Sequence, residues 1–189
     1  MQENYTTSEA LSLDLELSFT MRSTSALRQK VTKIFELLRD PVYRYLYRVL
    51  ENSDEAEDLT QEVFLRLYRH LHQGHTVTNI RAWVFRVAHN LAIDQQRKDT
   101  QRERLDLSGR EEACDRGPGP EAVALEVEQQ ERLRQALTSL SIEEKHCLEL
   151  RAEGLSYKEI AGILDMRMPT LVKYLGRIIK KLLQETAHA

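Results

Sequence analysis

The stretch from Ser156 to Pro169 leaves this chain little freedom. Ser156-Tyr157-Lys158-Glu159 is a capping box, in which the serine hydroxyl takes a backbone N–H of the first turn and the glutamate reaches back to the serine's own N–H. Ile160, Ala161, Ile163 and Leu164 then supply a short apolar face, and Asp165-Met166-Arg167-Met168 makes a turn. Pro169 opens a further helix at the place where a missing N–H costs nothing. Two short helices joined by a tight turn, with another helix before them to pack on, form a helix-turn-helix.

The helix after Pro169 divides into faces. Leu171, Leu175, Ile178 and Leu182 recur at four, three and four, and Val172, Ile179 and Leu183 are expected to widen that stripe. The opposite face carries Thr170, Lys173, Tyr174, Arg177, Lys181 and Gln184, with no acid before Glu185. Such side chains can touch phosphates, base edges or a thymine methyl, and the helix N-terminus turns free N–H groups toward phosphate. An ordinary amphipathic helix with a solvated basic face would show the same pattern, so this face alone leaves both options open.

The rest of the chain is also helical in period, and an all-α fold is expected. Asp40-Pro41 reads as a helix start, followed by Val42, Tyr45, Leu46 and Val49. Ser53 or Asp54 caps the next helix, whose stripe is Ala56, Leu59, Val63, Leu67 and Leu71 and which Gly74 ends. Asn79 caps a third, with Trp83, Val84, Val87, Ala88, Leu91 and Ala92 on its apolar side. Leu133, Ala136, Leu137 and Leu140 pattern a later helix, and Ser141 with Glu144 opens another that Gly154 closes. The Gly-Pro repeats at 117–120 break regular structure. The organisation expected is a disordered tail over 1–25, a helical domain over 26–104, a flexible acidic linker over 105–125, and a helix-turn-helix domain over 126–187.

Charge is distributed to match. The net charge of −3 argues against a nucleic-acid binder only until it is divided along the chain. Residues 28–104 carry fourteen bases and eleven acids, and 132–189 ten and seven, so both helical segments are mildly basic. The acids collect in the tail and in 105–131, with eight acids against two bases in the latter. No apolar run reaches the length of a bilayer crossing, and no basic start precedes an apolar stretch, so a cytoplasmic protein that is not membrane-inserted is expected. Cys147 sits on an apolar helical pattern and Cys114 in a polar segment, and neither belongs to a CxxC pair. Cys147 is expected in the core and Cys114 as an exposed thiol.

Three segments resemble one family. Glu57-Asp58-Leu59-Thr60-Gln61-Glu62-Val63-Phe64 is similar to the core-binding segment of bacterial sigma factors of the sigma-70 class. Trp83-Val84-Phe85-Arg86-Val87-Ala88-His89-Asn90-Leu91-Ala92-Ile93-Asp94 resembles their promoter-melting segment, and Leu137 to Leu150 followed by Glu153 to Ala161 resembles their C-terminal promoter-reading domain. With these two domains alone, the chain looks like the extracytoplasmic-function (ECF) group. The resemblance implies a factor that binds core RNA polymerase, directs it to promoters and assists melting. It implies no catalytic centre, no cofactor, no metal and no small-molecule substrate. It assigns Asp58, Gln61 and Glu62 to the polymerase. Asn90 is assigned to a flipped base of the −10 element, and Arg86, Arg97 and Lys98, with Arg102 and Arg104, to the DNA backbone. Arg167, Thr170, Lys173, Tyr174 and Arg177 are assigned to the −35 element. An anti-sigma factor is a further partner the resemblance implies. The family's last helix usually opens Gly-Thr and continues with Lys, Ser and Arg. Here Pro169 replaces the Gly, and Val172, Lys173 and Tyr174 stand at the other three, so the −35 sequence preferred is not legible.

Two rivals are weaker. A helix-turn-helix regulator that binds operators without recruiting polymerase explains residues 132–185 but not the two earlier segments, and it would need a dimer on two half-sites. A metal enzyme built on His70, His72 and His75 meets the difficulty that residues two apart on a helix point to different sides.

Overall fold

The structure is a computed structural model that describes residues 24–105, 137 and 139–187. Its helices are α1 (Thr24–Leu50), α2 (Ser53–His72), α3 (Ile80–Leu105), α4 (Ile142–Ala152), α5 (Tyr157–Ile163) and α6 (Met168–Ala187). Residues 1–23 of the tail expected over 1–25, most of the linker, and Cys114 lie outside the described residues.

Local chemistry sets half of the helix ends. Ser141 and Ser156 each form a complete capping box, with Glu144 and Glu159 respectively. Asn79 Oδ1 accepts from the N–H of Ala82 at 2.8 Å. Gly74 and Gly154 take φ of 84° and 81°, the left-handed region that glycine enters without a Cβ penalty. One start is displaced from its expected place: Asn52, rather than Ser53 or Asp54, caps α2 and accepts from the N–H groups of Asp54 and Glu55.

Asp40-Pro41 is not a helix start. α1 runs through Pro41 without a break. Leu27, Ile34, Val42, Tyr45, Leu46 and Val49 are all buried, so the apolar stripe continues in register across the proline. Pro41 offers no N–H to the carbonyl of Leu37, but Leu37 lies on the exposed side, where water can satisfy it. Burial of one continuous stripe outweighs a cost of about 3 kcal/mol for an interior proline.

α1, α2 and α3 pack on one another around Tyr45, Leu46, Val63, Leu67, Val84, Phe85 and Ala88. Phe35 and Phe64 meet edge to face at 5.0 Å. α4, α5 and α6 enclose Cys147, Leu150, Leu155, Ile160, Leu171 and Ile178. Cys147 is buried as expected, and burial pushes its thiol up to about 11. The two helical domains are in contact with each other, α1 against α4 and α3 against α5.

Candidate nucleic-acid interface

On α2, Asp58 and Gln61 are exposed, on the side away from Ala56, Val63 and Leu67. Glu62 is half-buried and already paired, with Arg66 Nε at 2.7 Å from its carboxylate. Leu65, which the sequence pattern did not single out, lies 49% exposed beside them. The face is therefore an acidic and amide surface with an uncovered leucine in it, a composition that suits a protein partner better than a phosphate backbone. Leu65 breaks the apolar period of α2, and that was its available signal.

On α3, Arg86, Asn90, Arg97 and Lys98 are exposed. They do not all face open solvent, however. Arg86 Nη2 donates to the carbonyl of Gly162 on α5 at 2.6 Å. Asn90 and Arg97 line a cleft of about 450 Å³ together with His89, Ile93, Asp94, Ile163, Leu164 and Asp165. Only Lys98 of the four is clear of the second domain's surface as described by these contacts. Trp83 is half-buried against the core and its indole lies 5.1 Å from the ring of His70.

On α6, the buried side is Leu171, Leu175 and Ile178, with Leu182 half-buried. Val172, Ile179 and Leu183 do not widen this stripe: they are 49%, 51% and 62% exposed. With Met168 they form a separate apolar flank, because at 100° per residue they lie one step round the helix from the buried row. Arg167, Thr170, Lys173 and Arg177 are exposed on the remaining side, forming a basic row. Tyr174 belongs only partly to that row. It is half-buried against the core, with the Arg177 guanidinium 4.9 Å from its ring centre. Burial raises its hydroxyl pKa, opposed by a hydrogen bond with Ser141. Lys181 is likewise turned back, donating to the Ser139 carbonyl and lying 3.6 Å from Glu144.

His70 and His75 stack ring on ring at 4.6 Å, whereas His72 stacks on Tyr68. The three imidazoles do not converge. Among the described residues no group of three or more His, Cys, Asp or Glu is placed to hold a metal ion, and no helix is long and apolar enough to cross a membrane.

The contacts between the two domains were invisible in the sequence. Arg44 grips Glu153 through two hydrogen bonds of 3.2 and 2.9 Å, and Arg48 lies 2.9 Å from Glu149. Asn79 caps α3 with its oxygen and donates its amide to Glu159, tying the starts of α3 and α5 together at 2.9 Å. Burial pushes the Glu159 carboxyl up, but hydrogen bonds from Ser156 and Asn79 and the charge of Arg81 hold it below the ordinary value. Arg81 itself donates to the Glu153 carbonyl. At the centre, Tyr45, His89, Gln96 and His146 form a polar cluster.

Residues 34–102 match the family model for sigma-70 region 2, and residues 130–182 match that for sigma-70 region 4. The chain is 35% identical over 144 residues to the ECF RNA polymerase sigma factor SigE of Mycolicibacterium smegmatis, an alignment covering 72% of this chain and 54% of that one. It is 29% identical over 147 residues to SigW of Bacillus subtilis, covering 73% of this chain and 79% of SigW. BldN of Streptomyces coelicolor is 30% identical over 165 residues, with 82% and 61% covered. The chain thus spans about half the length of SigE (54%) and more of the others. In fold it is similar to the sigma factor RpoE solved in complex with the anti-sigma factor NepR from Bartonella quintana, with a TM-score of 0.65 and 20% identity over 83% of this chain and 96% of that one. The two family models lie in order on the two helical domains, and the chain belongs to the sigma-70 family of RNA polymerase sigma factors, in its ECF group, with regions 2 and 4.

Proposed function

We propose that this chain is a non-catalytic transcription initiation factor that binds core RNA polymerase, directs it to a set of promoters and assists their melting. The observation that carries this is the coincidence of the two family regions with two separate exposed surfaces, Asp58 and Gln61 on α2 and the basic row formed by Arg167, just before α6, with Thr170, Lys173 and Arg177 on it. Asp58, Gln61 and Glu62 bind the polymerase. Arg86, Asn90, Arg97 and Lys98 meet the −10 element, where an amide at Asn90 can pair with the edge of an extruded base. Arg167, Thr170, Lys173, Tyr174 and Arg177 meet the −35 duplex, Tyr174 by its edge alone given its packing. The domains run over 26–104 and 126–187, joined by a flexible acidic linker over 105–125 that repels DNA phosphates and lets the domains reach separate elements. The protein works in the cytoplasm. An anti-sigma factor is its regulatory partner, supported by the RpoE–NepR complex to which its fold is similar.

Core binding is the step on which the rest depends. Asp58→Ala combined with Gln61→Ala is expected to weaken binding to purified core polymerase at least tenfold while leaving the helical content unchanged. Affinity equal to that of the unaltered chain would remove α2 from the polymerase interface.

A further inference from the structure

The domain interface buries a chain of neutral polar groups at its centre. Tyr45 on α1 and His146 on α4 are both fully buried. Tyr45 Oη lies 2.6 Å from His146 Nδ1 and 3.1 Å from His89 Nδ1, and the two Nδ1 atoms are 3.2 Å apart. His146 Nε2 is 3.2 Å from Gln96 Oε1, and Gln96 Nε2 donates to the Val49 carbonyl at 2.9 Å. One arrangement of hydrogens satisfies every member. Gln96 Oε1 only accepts, so His146 carries its proton on Nε2 and leaves Nδ1 bare. Nδ1 accepts the Tyr45 O–H, and His89 Nδ1–H donates to the tyrosine oxygen. Both imidazoles are then neutral.

A proton has no good place between Tyr45 and the two Nδ1 atoms. Adding one to His146 Nδ1 forces the tyrosine O–H to turn toward His89, which must give up its own Nδ1 proton to accept it. A second proton leaves the phenol oxygen between two donors and sets two positive rings side by side. Among the described residues no carboxylate hydrogen-bonds either ring. Glu149 on α4 and Glu153, the residue that caps its C-terminal end, face Arg48 and Arg44 of α1. Lys145 is taken by Glu51 at 2.9 Å, and Asp94, Arg97 and Asp165 border the cleft beside His89.

We propose that the Tyr45–His89–His146–Gln96 cluster is a proton-sensitive latch that holds the two helical domains closed, with Arg86 and Asn90 turned to α5 instead of nucleic acid. The part concerning nucleic acid rests on the function proposed above; the latch itself does not. Closure buries the His146 ring and half-buries the His89 ring, and burial lowers His89 to about 4 and His146 to about 3, the charge of His89 adding to the second. When the domains part, both rings return to the ordinary histidine value. The closed state therefore binds fewer protons than the open one. Its stability is fully present above the open-state value near 6.5 and is lost as pH falls below it, toward 4 and 3. Between pH 7.5 and 5.5 the closure constant falls ~10-fold for one such histidine and ~100-fold for both.

The test uses the full chain with Cys114→Ser and dyes on cysteines placed at Gln73 and Lys180, both exposed. Single-molecule energy transfer counts closed and open molecules, at a salt concentration that populates both at pH 7.5. Lowering the pH to 5.5 is expected to shift the ratio toward open by ~100-fold, with helical circular dichroism unchanged. His89→Gln and His146→Gln should each remove about a tenfold share of that response. A ratio independent of pH, a chain closed at every salt and pH, or expansion accompanied by loss of helix would overturn the latch. Should a variant fail to fold, proton NMR of the unaltered chain at pH 7.5 to 4.5 decides. Two of its six histidine rings should stay neutral in closed molecules, and six ordinary titrations would refute the proposal. None of these measurements needs polymerase or DNA, so the latch and the initiation role fail separately.

Discussion

Arg44 and Glu153 stand 109 residues apart in sequence and meet through two hydrogen bonds. The Glu153 side chain is 5% exposed while that of Arg44 is half exposed, so the pair is lopsided: the acid depends on the base more than the base on the acid. The hydrogen bonds with Glu153 raise the Arg44 pKa. Arg44→Ala is expected to destabilise the chain by about 1–3 kcal/mol, because a nearly buried carboxylate is left with only Arg48 at 3.6 Å. Urea denaturation checks this, and Glu153→Gln in the same background should recover part of the loss. Neither residue carried a signal in the sequence. Each sits in a charged, helical context that reads as solvated surface, and pairing at that separation is decided only by how the domains meet. The same holds for His146, whose neighbour Cys147 was legible as core while the histidine itself was not.

At the scale of the element, what local chemistry can specify was legible. Ser141, Ser156 and Asn79 cap the helices expected of them, and Gly74 and Gly154 end theirs. A cap is a contact within three or four residues, so its signature survives without knowledge of the fold. Pro41 shows the limit of that logic. Asp-Pro is a good start in isolation, but the stripe from Leu27 to Val49 runs through it because burial of that stripe is a tertiary decision. Since Pro41 removes one N–H from a helix that continues unbroken on both sides, Pro41→Ala should stabilise the protein by about 1–3 kcal/mol, read as a higher urea midpoint with an unchanged slope. No gain would mean that the helix is already broken there. α6 gives the other lesson. Its seven apolar positions look like one broad stripe in sequence, yet three of them, Val172, Ile179 and Leu183, remain exposed. Among the described residues α6 packs on α4 and α5, which cover a narrower arc than the pattern offers.

For the whole molecule, the two domains follow one another along the chain and meet across a seam in which Arg86 bonds α5 while Asn90 and Arg97 line the cleft beside it. Under the proposed function one domain sits on polymerase and open strands and the other on a distant duplex, which requires the chain to leave that arrangement. The seam includes ion pairs, the Asn79–Glu159 tie and two histidines whose pKa values burial lowers, and a contact of that polar kind between domains of one chain suits opening. The family membership was legible because three segments stand in the right order. The closed seam was not, because it depends on side chains whose sequence context is ordinary helix surface. Initiation with DNA read through α6 is decided by transcription reconstituted from purified core polymerase and this chain on fragments of its genomic DNA. New start sites that depend on the chain are expected. Lys173→Ala and Arg177→Ala should each weaken binding of the assembled holoenzyme to those promoters and reduce its salt slope by about one, with core binding unchanged. A chain that neither binds core nor yields any new start site would refute the initiation role.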